Sequence, residues 1–176
     1  RLWDEAGARR TVFLSSRAVY DGQPPGTLLT EDLPLSPDSL YGQAKLAAEP
    51  PQGASIRATG VYGPPAPGQR HKWADLFEAF ERGEPVAAAK GSEVHGDDVA
   101  AAVALLLANG ATGPFNASDV LLDRRDLLAA WAPGRGNLPE RATAAPNVMD
   151  CARLRSLGWR PGGEAALRAA LRLMAR

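Results

Sequence analysis

The sequence predicts an α/β fold in which strands and helices alternate along the chain around a mostly parallel sheet. Two observations carry that expectation. A short apolar, β-rich run at residues 11–14 (TVFL), a helix-forming segment at 40–49 and a second strand-like run at 54–58 (ASIRA) follow in the order of a strand, helix, strand crossover. Beyond them, helical patterns at 72–82, 99–107 and 123–131 surround a further strand-like run at 114–117.

Each element has a local reason. The first ten residues read as the end of a helix that stops near Gly7, and the TVFL run leaves Ser15 and Ser16 at its carboxyl end. Residues 21–39 hold Pro24-Pro25-Gly26 and Ser36-Pro37-Asp38 and are expected to be loop, long enough to suggest function. The helix at 40–49 takes Ser39 or Asp38 as its cap and is stopped by Pro50-Pro51. Ten helical residues span roughly 15 Å, about the length of a five-residue strand, so this helix can return the chain for a parallel pairing. Residues 60–68 read as a Gly/Pro turn region. In 72–82, Trp73, Leu76, Phe77 and Phe80 recur at the spacing of a core-facing stripe rather than a stacking surface. Asp97 or Asp98 is expected to cap the helix at 99–107, and two more helices are expected near 150–157 and 164–174.

Composition narrows the function classes. The chain of 176 residues carries 20 basic and 20 acidic side chains, so no net field favours nucleic acid or an anionic membrane surface. Its longest apolar run, residues 99–108, is about half of what a bilayer span requires. The single cysteine, Cys151, rules out an internal disulfide framework and a cysteine-based zinc site, and reads as a small buried residue on a helix. Together these features suggest a cytoplasmic protein with no nucleic-acid or membrane partner and no metal.

Tyr41 and Lys45 stand four residues apart on one helix, so both project from the same face. A free phenol, with its ordinary pKa near 10, is a poor proton carrier at neutral pH, and a neighbouring ammonium favours its charged form. A tyrosine poised in that way exchanges a proton with an alcohol or carbonyl. Ser16 lies at a strand terminus, where open parallel sheets bind ligands, and can hydrogen-bond the same oxygen. The spacing of a tyrosine and lysine alone is weak; its setting is more specific. SSRAVY and YGQAK occur in order with Ser16 and Tyr41 separated by 25 residues, followed by SIRATGVYGP, EVHGDDVAAAV, GPFNASD and the ending Asp150…Leu157-Gly158-Trp159-x-Pro161. This ordered series resembles the extended short-chain dehydrogenase/reductase family, also called the NAD-dependent epimerase/dehydratase family.

The resemblance implies the C-terminal part of a Rossmann-type doubly wound parallel sheet at residues 1–63, with a small, mostly helical substrate-binding region at 64–176 that returns strands to that sheet. It implies NAD or NADP as cofactor and a reductase, dehydrogenase or epimerase acting on a secondary alcohol or carbonyl of a small-molecule substrate, sugar-like or other. Tyr41 is then the general acid/base, Lys45 binds the nicotinamide-ribose hydroxyls, and Ser16 orients the reacting substrate oxygen. Ala58, Thr59 and Gly60 match positions that pass beside the nicotinamide, although an ordinary strand end explains them equally well. A dinucleotide-sensing module without turnover, or an inactive fragment, is the alternative.

Departures from the family pattern shape further expectations. The glycine-rich turn that receives the pyrophosphate is expected upstream, on the order of 100 residues away in about three to four strand and helix units. The residue that tells NAD from NADP belongs there too, and this stretch alone is expected to bind cofactor poorly. An arginine common before the family histidine is Gly91 here, with Lys90 as a point-charge substitute, and the frequent asparagine before V-Y-G-P is Gly60. Both changes weaken a nucleotide-diphosphate-sugar substrate. Arg17 and Ala18 stand where the 4,6-dehydratase branch needs an added acid, which disfavours that reaction. Pro50 shortens the helix that relatives use in homodimer packing. His95 reads as structural, His71 as a turn residue without metal partners, Asp97 and Asp98 as helix-start acids, Arg124 and Arg125 as a solvated face, and Trp159 as a core anchor below the C-terminal helix.

Overall fold

A computed structural model describes residues 9–175, so the helix end expected before Gly7 lies outside the described residues. A strand, β1 (Val12–Ser16), is followed by a 3-10 turn (Arg17–Tyr20), a two-residue strand β2 (Leu28–Leu29) and helix α1 (Leu40–Ala48). Next come β3 (Ala54–Ala58), β4 (Gly60–Tyr62), α2 (Ala74–Glu81), β5 (Lys90–His95) and α3 (Gly96–Asn109). The rest is β6 (Gly113–Ala117), β7 (Val120–Asp123), α4 (Arg124–Trp131), β8 (Val148–Met149), α5 (Ala152–Ser156) and α6 (Gly163–Met174).

The main sheet is parallel in the order β1-β3-β6, with Ser16 opposite Ala58 and Ala58 opposite Ala117. The expected crossover is therefore present, and β3 is buried along its whole length, as a central parallel strand should be. A second sheet runs β4-β5-β7, parallel then antiparallel, and β2 pairs β8. One core packs Val19, Ile56, Val94, Leu106, Phe115 and Leu154 about the main sheet; another packs Tyr62, Phe77, Phe80, Leu128 and Leu167 between α2, α4 and α6.

Helix α1 starts where the Ser39 hydroxyl oxygen accepts the Gly42 N–H at 3.0 Å, and it ends at Ala48, two residues before Pro50. Gly42 is buried so closely that an added Cβ would meet the Ala18 carbonyl and lie 2.8 Å from Pro37 Cβ. This contact seats the Tyr41-bearing helix on the turn that follows β1.

Several expectations are corrected. Residues 60–62 are strand rather than turn, because β5 offers them a parallel ladder, and the loop at 21–39 contains β2. The cap of α3 is His95, whose Nδ1 accepts the Asp97 N–H at 3.1 Å; the helix begins at Gly96, and both acids sit in its first turn. Asp98 instead accepts the Gly162 N–H on its carboxylate at 3.1 Å. Arg124 and Arg125 are half-buried and donate to the Ala87 and Pro139 carbonyls, both at 2.8 Å, so they brace backbone rather than form a solvated face. Trp159 donates its indole N–H to the Asp98 carbonyl at 2.8 Å and belongs to the core beside α3, not to the core under the C-terminal helix.

Candidate active site

The carboxyl ends of β1 and β3, the start of α1 and the beginning of β4 converge on one cavity of about 480 Å³. Ser16, Tyr41, Lys45, Ala58, Thr59 and Gly60 all line it, together with Arg17, Asp21 and Lys72. Parallel register explains the convergence: Ser16 and Ala58 are partners at the end of their ladder, and α1 runs back past β1.

Lys45 reaches the strand, its Nζ donating to the Leu14 carbonyl at 2.9 Å, with the ammonium 5.6 Å from the centre of the Tyr41 ring and 5.1 Å from that of Phe13. Tyr41 itself is 58% exposed and open to the cavity mouth. Ser16 Oγ accepts the Ala18 N–H at 3.2 Å, which fixes the side chain at the start of the 3-10 turn. Thr59 is buried, and its Oγ1 has no hydrogen-bond partner among the described residues. An unmet buried hydroxyl at a cavity wall costs free energy unless something in the cavity meets it.

Behind this wall lies a buried polar network that sequence reasoning missed. Arg57 forks onto Glu49, Nε to Oε1 at 2.9 Å and Nη2 to Oε2 at 2.8 Å, and Ser15 Oγ donates to the same carboxylate at 2.7 Å. Arg57 Nη1 donates to the Tyr20 hydroxyl at 2.8 Å, which in turn donates to Asn116 Oδ1 at 2.9 Å. Asn116 Nδ2 then holds the Leu29 and Asp150 carbonyls. Burial pushes the Tyr20 phenol up from its ordinary value, and the Arg57 hydrogen bond opposes that shift. Glu49 caps the C-terminus of α1, so the network ties the helix of Tyr41 and Lys45 to the sheet.

A second missed feature is an ion pair between Lys72 and Glu93. Glu93 is the register partner of Gly60, and a Cβ on Gly60 would collide with both charged groups. Burial pushes the Glu93 carboxyl up from its ordinary value, while the Lys72 ammonium pulls it down. The same pair lines a neighbouring cavity of about 290 Å³ with Lys90, Gly91 and Arg124, and Gly91 faces open space there.

The remaining candidates are structural. His71 Nδ1 accepts the Trp73 N–H at 3.2 Å, its ring lies near Phe77 and Trp131, and burial pushes its pKa down. Among the described residues no cluster of His, Cys, Asp and Glu is placed to hold a metal ion, and no helix is long and apolar enough to cross a membrane.

Comparison with known proteins adds an independent line. Residues 1–118 match the model of the NAD dependent epimerase/dehydratase family. UDP-glucose 4-epimerase 4 of Oryza sativa subsp. japonica is 49% identical over 43 residues, covering 24% of this chain and 11% of that protein. The structure of UDP-glucuronic acid 4-epimerase from Bacillus cereus in complex with NAD superposes with a TM-score of 0.76 at 18% identity, covering 98% of this chain and 63% of that one. That of UDP-glucose 4-epimerase from Thermotoga maritima with UDP-glucose gives 0.75 at 22% identity, covering 97% and 65%. The chain thus spans under two thirds of the length of these structures, with the same α/β fold.

Proposed function

The chain belongs to the NAD dependent epimerase/dehydratase family, and from that premise we propose that the whole protein is an NAD-dependent epimerase or oxidoreductase acting on a secondary alcohol or carbonyl of a sugar. The observation that carries the reading is the convergence of Ser16, Tyr41, Lys45, Ala58, Thr59 and Gly60 on one cavity. Residues 1–63 are read as the C-terminal part of the dinucleotide-binding domain and residues 64–176 as the substrate-binding region.

NAD fits the residues present: the partnerless Thr59 hydroxyl offers a hydrogen bond at the wall, and Lys45 spends one donor on Leu14 and keeps two for ribose hydroxyls. When bound, NAD supplies the hydride acceptor. Tyr41 takes the proton from the substrate hydroxyl at its phenolic oxygen and returns it in the reverse direction. Lys45 holds its ammonium 5.6 Å from the centre of that ring, on the same face of α1. Ser16, whose oxygen already accepts the Ala18 N–H, donates its hydroxyl hydrogen to the same substrate oxygen and fixes its position. Ala58 and Gly60 continue the wall beside Thr59.

UDP-sugars are the substrate class to try first, because the similar structures are of proteins named for them. Without an arginine at Gly91, positive charge in the adjoining cavity comes from Lys72, Lys90 and Arg124. The test is Tyr41→Phe in the full-length protein with UDP-glucose. Loss of a general acid/base is expected to lower kcat by about 10²–10⁴-fold, with NAD affinity within twofold of wild type. An unchanged kcat sinks the assignment.

A further inference from the structure

Two of the three cations that line the reaction cavity are paired with carboxylates. Arg17 lies 3.8 Å from Asp21, and Lys72 is held by Glu93, whose side chain is only 16% exposed. Lys45 is turned toward the Leu14 carbonyl. Glu93 rises beside its register partner Gly60, and the missing Cβ is what leaves room for the pair: Lys72 lines the reaction cavity, and Glu93 holds it from the adjoining 290 Å³ cavity that Lys72 also lines. Half-buried ion pairs contribute little to stability compared with apolar packing, because desolvation offsets their attraction. Their effect on selectivity is larger: a substrate group that approaches Lys72 must also approach the Glu93 carboxylate. A hydroxyl meets a donor on one and an acceptor on the other. A carboxylate meets one attractive charge already neutralised and one repulsive charge in a poorly screened setting.

We propose that Glu93, through its pair with Lys72, is a specificity-determining residue that sets the cavity to accept a neutral, hydroxyl-bearing sugar and to reject a uronic acid. This rests on the reading of the cavity as the reaction site. UDP-glucose and UDP-glucuronic acid test it cleanly, since they differ in a hydroxymethyl against a carboxylate and share the nucleotide. The full-length protein with NAD is assayed for kcat/KM on both, and titrated with both by calorimetry so that affinity is read apart from turnover.

Wild type is expected to favour UDP-glucose at least tenfold. Glu93→Gln, which frees the Lys72 charge, is expected to move the ratio at least tenfold toward UDP-glucuronic acid. Lys72→Met, which leaves Glu93 unpaired, is expected to move it the other way, and general loss of folding does not produce opposite shifts. A ratio within twofold of wild type in both variants overturns the proposal, as does failure of UDP-glucose to bind. If Tyr41→Phe still abolishes turnover in that case, the reaction-site reading survives; if Tyr41→Phe is fully active, that reading has failed as well.

Discussion

Removing the Glu49 carboxylate strands a buried guanidinium. Arg57 is only 4% exposed and gives Glu49 two of its donors, while Ser15 gives the same carboxylate its hydroxyl hydrogen. Glu49→Ala therefore leaves a charge and three donated hydrogens without their acceptor. Breaking a buried pair by deleting one partner costs about 3–5 kcal/mol. At about 2–4 °C per kcal/mol for a chain of this size, the melting temperature is expected to fall by roughly 6–20 °C. Urea unfolding followed by tryptophan fluorescence measures the free-energy change directly. The double variant Glu49→Leu/Arg57→Met, which replaces the pair by apolar side chains, is expected to recover most of the loss, because no uncompensated charge remains. A cost below about 1 kcal/mol for Glu49→Ala, the size expected of an exposed pair, refutes the reasoning. So does a double variant whose loss equals the sum of the two single losses.

Two further outcomes follow from titrating groups. Burial pushes the Cys151 thiol up to about 11, against the pull of its hydrogen bond to Ser118. Alkylation of the native protein by iodoacetamide at pH 8 is therefore expected to run at least about 100-fold slower than that of the urea-unfolded chain, and comparable rates contradict it. Asp123 is held below the ordinary carboxylate range chiefly by the Arg125 N–H at the start of α4, with the Ala142 N–H adding to it. A depressed folded pKa gives stability that is present above the unfolded value and is lost as pH falls through the folded one. Melting curves should show wild type above Asp123→Asn at pH 6 and the gap closing below about pH 4; a gap that stays constant to pH 2 contradicts the cap.

What the sequence made legible was the part with local signals. The run at 54–58 matches β3 residue for residue, and the aromatic stripe read over 72–82 places Trp73, just before α2, and Phe77 and Phe80 within it in a core. Strands β2, β4, β5, β7 and β8 had no comparable pattern, because runs of two to six residues are fixed by partners far along the chain, as Lys90 is by Asp123. Ser16, Tyr41 and Lys45 were found through ordered motifs, and they do share a cavity. Other residues of those motifs do different work: Tyr20 of SSRAVY, Arg57 of SIRATGVYGP and Asn116 of GPFNASD form one buried hydrogen-bond chain. Lys72 and Glu93 were illegible as a pair, since nothing in a 21-residue separation marks a contact. His95 was rightly read as structural, but its role as the α3 cap was given to the acids beside it.

The central claim, that the cavity of Ser16, Tyr41 and Lys45 is the reaction site, is tested most directly by a crystal structure of the full-length protein with NAD and UDP-glucose. The account predicts a sugar oxygen within about 2.6–3.2 Å of both the Tyr41 and Ser16 hydroxyl oxygens, with a ribose hydroxyl on the Lys45 ammonium. A sugar ring seated elsewhere, for example in the 520 Å³ groove between α4 and α6, contradicts it.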